Sequence, residues 1–261
     1  MTMINQLQTD CKNWIASLTK VILNEREMQV RLAMHLKALG HYDNVFIEYY
    51  VPFSILPSPY YSECPEQNPL FPWKNNIYFD IVVEKDHKFT LIELKYATIA
   101  ISEQPKIFNI SIPLKDINLF KLYVMFKGMY DYWKYIRMIE AMTHIQGVVG
   151  GVAIILTNNS LFWQPPKHNP KYLPFSIHEN RKINGPVTLS RGNKDSDAMS
   201  AIHPDFVIEG KYVCHWDDTN ILYNDSVKRA NEETENPKRF RYMITEIDST
   251  EVGIENSQSN D

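Results

Sequence analysis

Cysteine is scarce in this chain of 261 residues: Cys11, Cys64 and Cys214 are all there is. Their number is odd, their spacings are long and no CxxC pair occurs. That argues against a cysteine zinc site and leaves reduced thiols as the expectation. Long hydrophobic runs are missing too. The longest glycine-flanked apolar run, Val148 to Leu156, falls short of the roughly 20 residues a membrane helix needs. The opening stretch MTMINQLQTDCKNW has no apolar segment of signal-peptide type, so a cytoplasmic location is the expectation. No excess of positive charge is present. The net charge is -4 and the pI about 6.1, which argues against a protein coated in positive charge, though not against a local basic groove. The chain also lacks a GxxxxGK[ST] loop, a GxGxxG fingerprint and a GxSxG elbow. Nucleotide-driven motor, dehydrogenase and serine-hydrolase chemistry are therefore unsupported. No internal repeat is visible.

What is there reads as one α/β domain with elaborations. Apolar residues make up 44% and charged residues 22%, ordinary for a globular chain with a sizeable core. From Cys11 to Leu39 the pattern is helical, with Met28, Leu32, Leu36 and Leu39 at three- and four-residue steps and Gly40 as the stop. VFIEYYVPF, residues 45–53, reads as a strand ending at Pro52. Five prolines between Ser54 and Lys74 make that stretch a long loop. Two strands follow, Ile77 to Glu84 and Phe89 to Ile101, joined by a turn at Lys85–Lys88. Leu114 to Ile145 is helical, and Phe120, Tyr123, Phe126, Tyr130, Trp133, Ile136 and Ile139 form an apolar stripe, read as core packing. GGVAIIL, residues 150–156, reads as a buried strand before the turn Thr157–Asn159. Beyond Ser160 the chain turns polar and irregular. Leu173 to His178, Phe206 to Ile208 and Lys211 to Trp216 are short strand candidates. From Asp225 onward the composition predicts a mobile tail.

Chemistry concentrates in NNIYFDIVVEKDHKFTLIELKYATIAI, residues 75–101. If Glu84 faces Phe89 across a two-residue turn at Asp86-His87, continuing the antiparallel register brings Asp80 opposite Glu93. Directly opposed Cβ atoms lie about 4.5–5.5 Å apart. Lys95, two residues beyond Glu93, shares its face, while Ile92, Leu94 and Tyr96 occupy the other. Two opposed carboxylates in an apolar strand pair need a compensating cation. A divalent metal supplies one, and Lys95 supplies part of a second. Mg²⁺ is a hard ion that takes carboxylate ligands and keeps several waters, with Mn²⁺ as the expected substitute. A metal-bound water is a stronger nucleophile, and an adjacent ammonium stabilises charge on a phosphate. Asp80 and Glu93 are thus read as metal ligands and Lys95 as the electrostatic group of a phosphodiester-hydrolysing site.

Elsewhere the signals are thinner. His203 near Asp205, and His215 near Asp217 and Asp218, form His-x-Asp pairs, but no third or fourth ligand is suggested. Cys64 has no evident histidine partner. Lys167, Lys171, Arg181, Lys182, Arg191 and Lys194, interleaved with Trp163, Tyr172 and Phe175, suit either a phosphate-backbone surface with stacking groups or an ordinary solvated surface. Lys228, Arg229, Lys238, Arg239 and Arg241 continue the basic residues.

The strands FDIVVE and LIELKYAT resemble the signature of the PD-(D/E)XK, restriction-endonuclease-like superfamily: an acid on one strand, Asp80, and (D/E)xK on the next, Glu93-Leu94-Lys95. Phe79 stands where that family often has proline. The resemblance implies a core in the order helix, strand, strand, strand, helix, strand, with a mixed sheet of four to five strands flanked by helices. It also implies a glutamate from the first helix at the metal. NEREMQVRLAMHL fits that helix. Glu25, on its apolar face with Met28, Gln29, Leu32 and Leu36, is chosen, with Glu27, on the flank with Arg31 and His35, as the alternative. DYWKYIRMIEAM with GGVAIILTNNSLFW, and then FSIHENRKINGP, resemble a subgroup of such proteins with a DxxRxE-like helix and an LTN-aromatic turn. There Arg137, three residues from Glu140, contacts phosphate, buttresses Glu93 or forms a simple ion pair. Arg137 and Lys134 are the candidate nucleic-acid contacts.

The resemblance covers about residues 20–215. It implies a nuclease-like domain over 1–224, with its core at about 20–160 and an elaboration at 161–224, before the tail at 225–261. The implied activity is Mg²⁺-dependent hydrolysis of nucleic acid, foremost as a DNA endonuclease of restriction, defence or repair type. The alternative is a catalytically inactive nucleic-acid-binding or regulatory protein that keeps the fold. Expected partners are nucleic acid, with a homodimer and proteins of a defence system as further candidates.

Overall fold

The computed structural model describes residues 1–65, 68–73, 77–98, 106–107, 110–111, 121–166, 173–190, 203–223 and 238–249. Two helices open the chain, α1 (Met3–Ser17) and α2 (Glu25–Leu39). The sequence pattern predicts one helix here, but Leu18 turns extended and its N–H bonds back to Ile15 O, ending α1. Asn24 then caps α2, its Oδ1 accepting from Glu27 N at 2.8 Å. Asparagine is among the best residues for that position because its side chain satisfies an orphan N–H of the first turn. Gly40, at φ 67°, ends α2 in a left-handed conformation that glycine adopts at no steric cost.

Strands β1 (Asn44–Val51), β2 (Ile77–Lys85) and β3 (Lys88–Ala97) follow. Next come the two-residue strands β4 (Lys106–Ile107) and β5 (Ile110–Ser111), helix α3 (Lys121–Met142) and β6 (Val148–Thr157). The remaining strands are β7 (Lys182–Asn184), β8 (Val187–Leu189), β9 (Phe206–Ile208), β10 (Lys211–Val213), β11 (Asp217–Tyr223) and β12 (Lys238–Asp248). The main sheet has six strands in the order β1-β2-β3-β6-β12-β11. All neighbours are antiparallel except β3 and β6, which run parallel, with α3 between them in the chain. Strand β7 pairs with β10 and β8 with β9 as small antiparallel units. The protein is thus an α/β protein with a mixed sheet and three helices. No described helix is long and apolar enough to cross a membrane.

Both faces of the sheet are covered, so β6 is apolar throughout. Ala153 and Ile155 join a core with Trp133, Ile136 and Ile139 of α3. Val152, Ile154 and Leu156 join a second core with Leu7 and Trp14 of α1 and Met28, Leu32 and Leu36 of α2. The described part of the α3 stripe, Phe126 to Ile139, is indeed core; Phe120 and Tyr123 lie outside the description of side chains. Gly151 lets β6 pass close to its neighbour, because a Cβ there would stand 2.4 Å from Leu91 O.

Three expectations are corrected. The sheet has six strands, not four to five. Residues 238–248, assigned to a mobile tail, are an internal strand: β12 pairs with β6 along Arg241–Asp248 and with β11 on its other side. Its charges hid it. Phe240, Tyr242, Met243 and Ile247 are buried, and the intervening Arg239, Arg241, Glu246 and Asp248 dilute the pattern. Leu173–Phe175 is a 3-10 turn, not the start of a strand, as Pro174 lacks the N–H a ladder needs.

Candidate active site

The hairpin β2–β3 turns through Asp86 and His87, both at positive φ (51° and 58°), the two-residue turn whose twist suits a hairpin. Its register pairs Glu84 with Phe89, Val82 with Leu91 and Ile81 with Ile92. One further step reaches Asp80 and Glu93, and there the ladder stops. Asp80 Oδ2 accepts from Leu94 N at 2.7 Å, so the side chain takes a hydrogen bond that a strand carbonyl would otherwise take. The same position is irregular on the other side. Strand β1 pairs with β2 on both sides of Glu48 and Asp80 but not at them, and Glu48 sits at φ 53°. Side-chain alternation changes phase there as well. Val82 packs in the α3-side core and Ile81 in the other, yet Phe79 and Ile77 also join the α3 side. Non-glycine residues at positive φ persist only where surroundings enforce them, and such positions cluster at functional sites.

Helix α2 supplies the enforcement. Gln29 is buried, and its Nε2 donates to Asp80 O at 2.6 Å, to Glu48 Oε1 at 2.9 Å and weakly to Asp80 Oδ1 at 3.3 Å. Arg26 Nη1 donates to Gln29 Oε1 and to Glu48 Oε1. Glu25, on the first turn, accepts from Tyr96 N at 2.7 Å and lies 3.6 Å from Lys95 Nζ. Glu27 faces elsewhere, accepting from Leu23 N and pairing with Arg31. Of the two glutamates, Glu25 is the one at the strand ends.

The Asp80 and Glu93 carboxyl groups are hydrogen-bonding neighbours. Burial, together with the Asp80 charge, pushes the Glu93 pKa well above the ordinary carboxylate range. Burial also raises Asp80 to about 6, against the opposing hydrogen bond from Leu94 N. Two like charges so close are disfavoured without a cation, so the pair resists full ionisation. Glu93 Oε1 is buried and has no hydrogen-bond partner among the described residues. A buried carboxyl oxygen with a vacant lone pair, beside a second carboxylate, fits a divalent cation whose remaining positions are water. The fit is to two carboxylates. Among the described residues no three His, Cys, Asp or Glu side chains are gathered to hold an ion, because Glu25 is drawn toward Lys95 and Tyr96 N.

Lys95 reaches the α3 side. Its Nζ lies 3.4 Å from Asp131 Oδ2, and Asp131 in turn binds Lys127 Nζ at 2.5 Å. Burial works to lower the Lys95 pKa, but Glu25 and Asp131 outweigh it and hold it above its ordinary value. Lys134 is half-buried over the Trp73 ring, its Nζ 5.4 Å from the centroid. Burial lowers its pKa while Asp131 and Glu93 act in the other direction, so it contributes positive potential at Glu93.

Of the roles open to Arg137, the structure shows the i, i+3 ion pair with Glu140, made by a wholly buried rather than a surface side chain. Its Nη1 holds Glu140 at 3.1 Å and Glu209 at 2.5 Å, and its Nε donates to Leu70 O. Glu140 accepts in addition from Gly210 N and Tyr212 OH. The pair locks the proline-rich loop and the β9–β10 turn onto α3. The histidine candidates also dissolve. His215 pairs with Glu179 and Asp217, and His203 is packed against the rings of Phe126 and Tyr130. Of the basic stretch, Arg181 is a clamp on the carbonyls of Leu173, Pro174 and Ser176. Lys167, Lys171, Tyr172, Arg191, Lys194, Lys228 and Arg229 lie outside the described residues.

Gln29, Glu48 and Asp131 join the site without having been singled out from sequence. Gln29 carried a usable sign, a polar residue on the apolar face of a helix. Asp131 stood four residues from Lys127, and Glu48 interrupted an apolar strand, but nothing local tied either to Asp80 or Lys95. No protein-family model, no curated protein and no solved structure matches the chain.

Proposed function

We propose that the chain is a metal-dependent nuclease built on a restriction-endonuclease-like core of the PD-(D/E)XK kind, acting foremost as a DNA endonuclease. One observation carries this reading: Asp80 and Glu93 form a buried carboxyl pair in which one Glu93 oxygen has no partner among the described residues, with the Lys95 ammonium held by Glu25 and Asp131 within electrostatic reach of Asp80. Asp80 and Glu93 would hold Mg²⁺ or Mn²⁺, which supplies a water of lowered pKa and stabilises charge on phosphate. The rest is the work of the chain. Glu93 releases its proton when positive charge arrives. Leu94 N and Gln29 fix the direction of Asp80. Lys95, kept protonated by Glu25 and Asp131, faces a phosphate oxygen or the attacking water.

The engagement of Glu25 with Lys95 and Tyr96 N favours a second reading, in which the fold binds nucleic acid without cutting it. Cleavage of plasmid, linear duplex, single-stranded DNA and RNA with Mg²⁺ or Mn²⁺ separates the two. Metal-dependent cutting that falls at least about a hundredfold in both Asp80→Asn and Lys95→Ala is the expected result, the size usual for loss of a catalytic electrostatic group. Cutting that survives both substitutions, or none by folded wild type with metal present, rejects the nuclease reading.

A further inference from the structure

The sheet edge beside the site carries a group of exposed rings. Tyr50 and Tyr78 are directly opposed across β1 and β2, their centroids 5.3 Å apart and their planes tilted by 47°. Each is about half exposed, 46% and 50%. Ile47 and Tyr49 on the same edge strand are exposed as well. The pair is next to the chemistry in the chain. Tyr78 precedes Asp80 by two residues and Tyr50 follows Glu48 by two, a displacement of about 7 Å along a strand. Among the described strands, β1 pairs only with β2.

The charges around the site run the other way. Arg26 is paired with Glu48, Lys95 with Glu25 and Asp131, and Lys127 with Asp131, while Lys134 is half-buried against the Trp73 ring. The chain as a whole is acidic, at -4. Duplex DNA is held chiefly through its phosphates by cations that are not already neutralised. Single strands offer a second handle, the unstacked base faces, which bind aromatic side chains with little regard to sequence.

Resting on the nuclease reading, we propose that Tyr50 and Tyr78 form a base-stacking platform that brings single-stranded nucleic acid to Asp80 and Glu93, so that the substrate is an unpaired strand or an unpaired stretch of a duplex. The aromatic pair sets which nucleic acid is taken, while the carboxylates and Lys95 act on its backbone.

Fluorescence anisotropy tests this on the full chain in the presence of a chelator. The probe is a short fluorescein-labelled oligonucleotide, single-stranded as DNA and as RNA, and annealed to its complement. The single strand is expected to bind at least about tenfold tighter than the duplex. Tyr50→Ala with Tyr78→Ala is expected to lose roughly that factor for the single strand, as removal of a base-stacking ring does. Tyr50→Phe with Tyr78→Phe, which keeps both rings, is expected to retain the affinity and controls for folding. Equal or tighter duplex binding, or single-strand binding untouched by the alanine pair, overturns the platform. So does a dimer that the alanine pair converts to monomer, since a second copy then covers the rings. Cleavage measured in parallel keeps the two readings apart. Ring-dependent binding without any metal-dependent cutting removes the nuclease reading and leaves the platform. Duplex cutting indifferent to both tyrosines removes the platform alone.

Discussion

Asp80 and Glu93 are costly neighbours, and their cost is measurable. Folding raises both carboxyl pKa values, chiefly by burial. The folded chain therefore keeps protons that the unfolded chain has released above about pH 4. Bound protons favour the fold, so this contribution is full below the unfolded pKa values. It is lost as pH rises through about 6 for Asp80 and beyond for Glu93. Without divalent metal, the melting temperature is expected to fall by several degrees between about pH 5 and pH 8. Glu93→Gln should flatten that slope, and added Mg²⁺ or Mn²⁺ should restore the wild-type loss at high pH. Calorimetric melts at stepped pH decide it. Lys95 gives a complementary test. Asp131→Asn removes one of the two carboxylates that keep its ammonium charged. The alkaline limb of the pH–rate profile is then expected to move to lower pH, with Asp131→Glu returning most of the displacement. A substitution that merely loosened packing would lower the rate without moving the limb.

Among the secondary elements, the hairpin was the most legible part of the sequence. A two-residue turn between apolar runs leaves one register, and that register, continued one step past its last pair Ile81–Ile92, leads to Asp80 and Glu93. The two carboxylates and Lys95 were accordingly readable from local pattern. Gln29 and Glu48 were not, because their relation to Asp80 is made by helix α2 crossing over strands far away in the chain. Strand β12 escaped for a different reason. Its buried residues alternate with arginines and acids, so its mean composition resembles a solvated tail while its period does not. The β6–β12 pairing has its own weak point. Gly150 adopts φ 137° and a Cβ there would stand 2.2 Å from Ile247 O. Gly150→Ala is expected to cost about 2 kcal/mol or more, since alanine is strained at that φ and backbone has no room to give. Chemical denaturation of the variant checks it, and a loss below about 0.5 kcal/mol would contradict the close approach.

For the molecule as a unit, the buried Arg137 matters more than any surface charge. It joins α3 to the loop at Leu70 and to the Glu209 turn, with Glu140 completing the contact. Replacing it by methionine leaves the buried Glu140 and the partly exposed Glu209 without their cation, and breaking a buried pair in this way typically costs about 3–5 kcal/mol. Arg137→Met is thus expected to lower the melting temperature strongly while the folded fraction binds nucleic acid as wild type does. A selective loss of binding with unchanged melting would return Arg137 to the phosphate-contact role that its motif suggests. This arginine was visible in sequence as a functional candidate. Its burial was not, because the partners Leu70 and Glu209 come from opposite sides of the chain.

The strand order has one more consequence, and it concerns synthesis on the ribosome. Strand β12 lies between β6 and β11, although β11 precedes it in the chain. Until residues 238–248 have emerged, the nascent chain presents the open edge of the largely apolar β6, and β11 lacks the partner it has among the described strands. The hairpin that bears Asp80, Glu93 and Lys95 is translated far earlier, yet the sheet that supports it closes only when β12 slides into place. Translation order therefore delays assembly of the Asp80–Glu93 pair, and an unfinished chain offers a chaperone its β6 edge before that pair is in place.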